Sequence, residues 1–133
     1  MRRLLASLAI ISGLLATTVA VAPAAQADQQ NCIVSGGYVE CLWTKSYLTY
    51  LSSKLTTYSG AKWMCGYTQV NFYNSSGTNF WSITSGRICS SAPQFNYWPP
   101  TYVKTYTRRV CARWNLESPD LPWSYSVCRT PPW

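Results

Sequence analysis

The sequence predicts an all-β fold, a small antiparallel β-sandwich or partly open barrel that is held by disulfides and preceded by a cleaved signal peptide. Three observations support this prediction. The chain after the leader is rich in Thr, Ser, Tyr and Trp, which favour strands over helices. Its short alternating segments are separated by turn residues. Its six cysteines form an even set in a short chain, which is typical of a disulfide framework.

The first 27 residues have the pattern of an export signal. Arg2 and Arg3 precede an apolar run from Leu4 to about Val21, and Ala25-Gln26-Ala27 is an A-x-A cleavage site. An uncleaved membrane anchor is the alternative, but Ser, Thr and Gly dilute the run and the cleavage site favours removal. We therefore expect a secreted protein with a signal peptide at 1–27, a single domain at 28–133 and no membrane span after cleavage.

The cysteines have no metal-binding pattern. The chain lacks histidine and any C-x-x-C pair, so a zinc site is not expected, and neither is any other cofactor. A sequential pairing is predicted because each pair brackets a plausible hairpin, and each bridge would contribute about 2–4 kcal/mol. The predicted disulfides are Cys32–Cys41, Cys65–Cys89 and Cys111–Cys128.

The first half of the domain contains three predicted strand regions. Val39–Trp43 alternates in polarity after a Gly36-Gly37 turn. Tyr47–Tyr58 is ambiguous, because its leucines recur at helical spacing while the Ser and Thr residues between them are poor helix formers. A strand is favoured there. Lys62–Ser82 is predicted to be a hairpin that turns at Asn74–Gly77.

The second half is richer in proline. A short strand is predicted at Arg87–Cys89, and Ser90–Pro100 is predicted to be a long crossover because its prolines cannot lie inside a central strand. After the next strand, a loop is expected at Glu117–Pro122 and a last strand at Trp123–Cys128.

Thr101–Trp114 is predicted to be a strand with an interruption. One face of a regular strand would be aromatic and basic in its first half and apolar in its second, so we expect a bulge near Arg108-Arg109. Val110–Trp114 would then belong to the core. The exposed half would present a ladder of tyrosines and cations, namely Tyr102, Lys104, Tyr106 and Arg108.

The chain lacks the residues that most catalytic mechanisms require. Without histidine or a free thiol, Ser-His and Cys-His arrangements are excluded as they are usually built. Glycoside hydrolysis needs two opposed carboxylates. The internal candidates are Glu40, Glu117 and Asp120, which we expect instead to pair with surface arginines or to cap turns. The protein is therefore predicted not to be an enzyme.

Aromatic residues and cations favour a binding function. The mature chain has seven Trp and ten Tyr against fifteen Ile, Leu and Val, so some rings are expected to reach solvent, although any single ring could fill the core. Removal of the leader leaves nine cations against four carboxylates, a net charge of +5. Four of these cations lie between Lys104 and Arg113, which would suit an acidic partner. The candidate binding residues are Tyr97, Trp98, Tyr102, Lys104, Tyr106, Arg108 and Trp133.

The leading hypothesis is an exported non-catalytic domain that binds polysaccharide or an anionic cell-envelope polymer. One alternative is a defensive protein, either a cationic antimicrobial or a protease inhibitor that uses the Cys89–Pro100 or Glu117–Pro122 loop. Another is a structural surface or spore-coat component. Specific nucleic-acid binding is not expected, because no helix or known motif carries the cations. The sequence leaves the oligomeric state open.

Overall fold

A computed structural model describes residues 29–117 and 124–133, which form two antiparallel sheets packed face to face. The predicted signal peptide at 1–27, the loop residues 118–122 and Trp123 lie outside the described residues. A 3-10 turn spans Ser46–Leu48. The other elements are β1 (Gln29–Ser35), β2 (Tyr38–Thr44), β3 (Leu51–Thr57), β4 (Met64–Tyr73), β5 (Asn79–Thr84), β6 (Ile88–Ser90), β7 (Gln94–Tyr97), α1 (Thr101–Tyr106), β8 (Arg109–Leu116) and β9 (Val127–Arg129).

The two sheets divide the chain between them. Sheet I has the strand order β1-β2-β3-β7. Sheet II has the order β5-β4-β8-β9, and β6 pairs with β4 beyond the end of β5. The segment from β6 to β7 therefore carries the chain from sheet II to sheet I, and the predicted all-β antiparallel fold is confirmed.

Two hairpins follow directly from their turn residues. Gly36 and Gly37 have φ values of 56° and 82°, the left-handed conformations that a two-residue hairpin turn requires between β1 and β2. Between β4 and β5, the Asn74 side-chain oxygen accepts hydrogen bonds from the backbone N–H groups of Ser76 and Thr78 at 3.1 and 3.0 Å. The hairpin predicted around residues 74–77 is confirmed, as is the strand favoured within residues 47–58.

Two strands were not predicted. β1 lies before the Gly36-Gly37 turn, where no strand was expected. β7 occupies four residues of the segment predicted to be a strandless crossover. Pro93 and Pro99 flank this strand and do not interrupt it, so every residue that needs to donate a ladder hydrogen bond keeps its N–H.

The first half of the Thr101–Trp114 stretch is helical, so the predicted strand and its bulge are wrong there. Pro100 caps the helix with extended backbone, and its carbonyl accepts a hydrogen bond from the N–H of Lys104 at 3.1 Å. The hydroxyl of Thr105 bonds back to the carbonyl of Thr101 at 2.8 Å. Val103 of this helix is fully buried in the core, and a helix this short depends on such tertiary packing more than on local sequence pattern. The backbone structure does change near Arg108, because the helix ends at Tyr106 and β8 begins at Arg109.

The core joins the inner faces of both sheets. Trp114 on β8 is fully buried, and its indole N–H donates to the hydroxyl of Ser53 on β3 at 2.8 Å. This hydrogen bond crosses between the sheets inside the apolar layer. The predicted core position of Val110–Trp114 is confirmed for the inward-facing residues. The two core clusters are Leu42, Leu48, Leu51, Val70, Phe72, Val103, Val110, Ala112, Val127 and Trp133, and Tyr38, Leu55, Met64, Trp114 and Leu116.

Glu40 is an internal carboxyl group. It lies on the inner face of β2 with 1% of its surface exposed, and it accepts a hydrogen bond from the Ser124 hydroxyl. The same Ser124 oxygen accepts the backbone N–H of Trp114 at 2.7 Å. Burial raises the pKa of Glu40 to about 8, although the hydrogen bond from Ser124 opposes this shift. The expectation that Glu40 pairs with an arginine or caps a turn was therefore wrong.

Glu117 does pair with a surface arginine, as expected. The Arg87 Nη2 atom donates to the Glu117 Oε2 atom at 2.8 Å. Hydrogen bonding to Arg87 lowers the pKa of Glu117 below its usual value. Both side chains are exposed, so this pair contributes little to stability.

The three disulfides have the predicted pairing. Each joins directly opposed residues of two antiparallel strands, in the pairs β1–β2, β4–β6 and β8–β9. Because β1, β6 and β9 are outer strands, each disulfide ties an outer strand to its neighbour. None of the disulfides joins sheet I to sheet II, so the attachment of one sheet to the other is non-covalent.

We expect Ser53→Ala to destabilise the protein by about 1–3 kcal/mol, because the indole N–H of Trp114 would lose its acceptor in the core. Urea unfolding of the oxidised protein, followed by tryptophan fluorescence, measures this change. Ser75→Ala in the exposed β4–β5 turn is the control, with an expected effect within about 0.5 kcal/mol. Equal effects of the two substitutions would contradict the role of Ser53.

We expect the stability of the protein to fall as pH rises from about 5 to 8. The folded state holds the Glu40 proton up to a pKa of about 8, whereas the unfolded carboxyl loses it near the ordinary value of 4.5. Between these values the slope from this group is about 1.4 kcal/mol per pH unit. The chain has no histidine to titrate in the same range.

Glu40→Gln should remove this slope and leave stability at pH 5 nearly unchanged, because the amide is uncharged and similar in size. Urea unfolding at one-unit intervals from pH 5 to 8 compares the two proteins. An identical slope in the variant would show that another group is responsible.

Candidate functional site

The predicted binding residues do not share one surface. Trp98 is exposed, as expected. Trp133 is only 8% exposed and belongs to the core, so its predicted exposure is wrong. Tyr97 is half-buried, and its ring stacks on Phe95 with the centroids 6.2 Å apart. Tyr97 therefore helps to close the edge of the core and offers little free ring surface.

The tyrosines and the cations of the predicted ladder lie in different places on the surface. Tyr102 and Tyr106 are four residues apart and both exposed. Tyr102 meets Trp81 edge to face, with ring centroids 5.6 Å apart. Lys104 and Arg108, also four residues apart, both line a cavity at the end of the sandwich. Within α1 the helical period turns Lys104 away from Tyr102 and Tyr106, which a strand would have kept on one face, and Arg108 follows beyond the extended C-cap residue Thr107.

A groove on the outer side of sheet I has the composition of a ligand site. Its volume is about 290 Å³, close to the lower end of the usual range of about 300–1,000 Å³. We call it the aromatic groove, and it is flanked by Asn96 and Trp98. Its lining residues are Trp43, Thr44, Lys45, Tyr50, Ser52, Lys54 and Gln94.

Strand register assembles the groove. Trp43, Ser52 and Asn96 are directly opposed on β2, β3 and β7. Lys54 and Gln94 are opposed in the next outward-facing row. Side chains at opposed positions on one sheet face are neighbours, so residues that are distant in sequence meet here.

A hydrogen-bond network orders the polar side chains. The Tyr50 hydroxyl donates to the Asn96 side-chain oxygen at 2.7 Å, and the Gln94 amide donates to the same oxygen at 2.9 Å. Gln94 also donates to the Ser52 hydroxyl at 2.8 Å. The Asn96 NH₂ group and the Gln94 carbonyl oxygen are not used in these three bonds. They are a donor and an acceptor on side chains that the network holds in position.

Two aromatic rings lie beside this network. The rings of Tyr50 and Trp98 are tilted by 54° with their centroids 5.3 Å apart, and 67% of Trp98 is exposed. The Lys45 ammonium lies 5.7 Å from the centroid of the Tyr50 ring. The site therefore combines ring faces, fixed amides and a cation on one surface.

The second cavity has a volume of about 520 Å³ and lies beside α1. We call it the basic pocket. The Nη1 atom of Arg108 donates to the carbonyls of Thr105 and Thr107 at 2.9 Å each, which holds the guanidinium at the end of the helix. The lining residues are Tyr47, Thr49, Thr101, Lys104, Thr105, Arg108, Pro131 and Trp133.

The segment 45–50 forms the border between the two cavities. Lys45 and Tyr50 line the aromatic groove, whereas Tyr47 and Thr49 line the basic pocket. Tyr47 and Leu48 have φ values of 57° and 52°, the left-handed region that non-glycine residues adopt at an energetic cost. Burial of Leu48 in the core and the hydrogen bond from the Lys45 N–H to the Tyr50 carbonyl at 3.0 Å hold the segment in this conformation.

Sequence reasoning missed most of the groove. Ser52 and Lys54 alternate with buried leucines on β3, which is a visible signal for an outward face. The partner positions Gln94 and Asn96 carried no such signal, because their segment was predicted to contain no strand. Trp98 was the one predicted residue that lies beside the groove.

Comparisons with known proteins identify no relative. No family model matches the chain, and no significant match was found among curated proteins or solved structures. In residues 29–117 and 124–133, no helix is long and apolar enough to cross a membrane. The same residues contain no cluster of three or more His, Cys, Asp or Glu side chains that could hold a metal ion.

We expect hydroxyl-radical footprinting of the oxidised protein to separate its tryptophans by exposure. Trp63 and Trp98, which are 72% and 67% exposed, should oxidise fastest, and the fully buried Trp114 should stay unmodified. Trp133 should react slowly. Peptide mass spectrometry gives the rate at each residue, and oxidation of Trp133 as fast as that of Trp98 would contradict the described packing.

Proposed function

We propose that this protein is an exported, non-catalytic domain that binds polysaccharide in the aromatic groove. One observation carries the proposal. Tyr50, Ser52 and Gln94 line one concave site, and at its border the ring of Trp98 packs against Tyr50 while Asn96 joins the hydrogen-bond network of Tyr50 and Gln94.

Sugars match this arrangement chemically. A pyranose ring has apolar C–H groups on its faces and hydroxyls around its edge, and Tyr and Trp have flat apolar faces with a polar edge. Side-chain amides can donate to and accept from hydroxyls. Because the internal bonds already hold Gln94 and Asn96 in place, ordering them on binding would cost little entropy.

The positions of two carboxylates support binding without hydrolysis. Glu40 lies in the core, and Glu117 is engaged by Arg87. Neither carboxylate lines the aromatic groove or the basic pocket. Asp120 lies outside the described residues. Glu40 and Glu117 therefore do not form the opposed pair across a groove that glycoside hydrolysis uses.

The proposal that the protein is exported is based on its disulfides and on its predicted signal peptide. Three disulfides with no free cysteine indicate that the protein folds in an oxidising environment. The predicted signal peptide at 1–27 gives a route to such an environment. We propose that the mature domain is secreted.

The protease-inhibitor alternative has less support. Part of the Cys89–Pro100 segment forms β7, which pairs with β3, and the Pro93 carbonyl accepts the N–H of Leu55 at 3.0 Å. An inhibitory loop must instead present free backbone to the protease. The other proposed loop, Glu117–Pro122, lies mostly outside the described residues.

The proposal is tested by retention of the mature oxidised protein on insoluble chitin, cellulose and peptidoglycan. We expect the wild-type protein to bind at least one of them, and Trp98→Ala to weaken binding about tenfold or more through loss of ring contact. Trp63→Ala is the matched control, because Trp63 is equally exposed but lies away from the groove. Affinities come from depletion isotherms.

Two results would contradict the proposal. The first is no retention of the wild-type protein on any of the three polymers at low salt. The second is an equal loss of affinity in Trp98→Ala and Trp63→Ala, which would show that binding does not depend on the groove.

A further inference from the structure

The basic pocket brings two cationic side chains together. It contains Lys104 and Arg108, and no Asp or Glu is among its lining residues in the described part of the chain. The hydroxyl-bearing residues Tyr47 and Thr101 line the same cavity. Cations together with hydroxyl donors are the groups that bind carboxylate, phosphate or sulfate oxygens.

Arg108 is oriented before any ligand arrives. Its Nη1 atom is held by the carbonyls of Thr105 and Thr107, and these bonds leave the Nε and Nη2 donors for other acceptors. A fixed guanidinium loses less side-chain entropy on binding than a free one. The buried ring of Trp133 forms an apolar wall of the same cavity, so an anion there would be only partly exposed to solvent and salt.

The pocket adjoins the aromatic groove. The segment 45–50 lines both cavities, and the chain from β7 to α1 lines the groove at Gln94 and the pocket from Thr101 onward. Trp98 lies on this connection and packs against Tyr50 at the border, with the two rings tilted by 54°. Both cavities are therefore bordered by the same two stretches of chain.

The cations of the 104–113 stretch do not form one patch. Arg109 lies over the Tyr73 ring at 4.3 Å, and Arg113 donates to Gln69 at 2.7 Å, both on the outer face of sheet II. Lys104 and Arg108 are in the pocket instead. Binding to a membrane surface or a nucleic-acid backbone uses cations spread along a continuous surface. Two cations in a cavity favour a discrete anionic substituent.

We infer that the basic pocket is a second subsite that takes the anionic substituent of the polysaccharide, so that the ligand is an acidic glycan. The groove would hold sugar rings and the pocket would hold a carboxylate, phosphate or sulfate carried by the same polymer. This inference rests on the proposed function and adds the class of ligand to it.

The test compares polymers with one backbone and different charge. The mature oxidised protein is titrated with hydroxyethyl cellulose, carboxymethyl cellulose, cellulose sulfate and cellulose phosphate at 0.15 M ionic strength, near the physiological value. Polygalacturonate and its methyl ester form a second matched pair. We expect at least one charged polymer to bind about tenfold or more tightly than its neutral counterpart, and the preferred polymer identifies the anion.

The double variant Lys104→Gln/Arg108→Gln should lose this preference and keep the affinity for the neutral polymer. The control Lys62→Gln/Arg109→Gln removes the same net charge outside both cavities and should keep the preference. Circular dichroism and the unfolding midpoint confirm that each variant is folded. Trp98→Ala should weaken binding of charged and neutral polymers alike.

The outcomes separate this inference from the proposed function. Binding of neutral and charged polymers with equal affinity, or loss of the preference in the control variant as well, would overturn the acidic-glycan inference alone. Failure to bind any of these polymers would overturn the acidic-glycan inference, and the proposed function would fall with it only if the protein is also not retained on chitin, cellulose or peptidoglycan. Lys104- and Arg108-dependent binding to anionic lipid vesicles or to an oligonucleotide, with no binding to the polymers, would assign the pocket to a different class of partner.

Discussion

The attachment of the two sheets to each other depends on one buried layer without covalent bonds. Trp114 lies at its centre. Its indole bonds to Ser53 of sheet I, and its backbone bonds to Ser124, which in turn donates to Glu40 of sheet I. The disulfides brace strands within a sheet, so this layer sets the distance and orientation between the sheets, together with the hydrogen bonds that Asn31 on β1 makes with Cys128 and Arg129 on β9. Both cavities depend on it, since Leu48 and Trp133 anchor their borders in the same core.

Polar groups inside this layer restrict how the two sheets can pack against each other more strictly than an apolar core would. The hydroxyls of Ser53 and Thr68 lie 3.4 Å apart between the sheets, and Thr68 also bonds to the carbonyl of Arg113 at 2.9 Å. A shift of one sheet by one residue would place these groups against apolar side chains, where burial without a partner is costly. The polar contacts thus define one position of each sheet relative to the other.

The sequence predicted the features that depend on neighbouring residues. The Gly36-Gly37 and Asn74–Gly77 turns are local, and the disulfides follow the hairpins that these and other turns create. The features that were missed depend on distant contacts. Helix α1 exists because Val103 docks in the core, and the groove exists because β7 pairs with β3, about forty residues earlier. Glu40 gave no sign of burial, because a single Glu between Val and Cys is equally compatible with either face of a strand.

The order of the disulfides along the chain has a consequence for how the protein matures. The bridges span 9, 24 and 17 residues, and the three loops follow one another without nesting or overlap. Each loop is short, so the entropy lost in closing it is modest. Because no loop encloses a cysteine of another, each native bridge can close as soon as the strands that it joins have paired, whatever the state of the other two. The covalent framework of each sheet can thus be completed without the two sheets meeting.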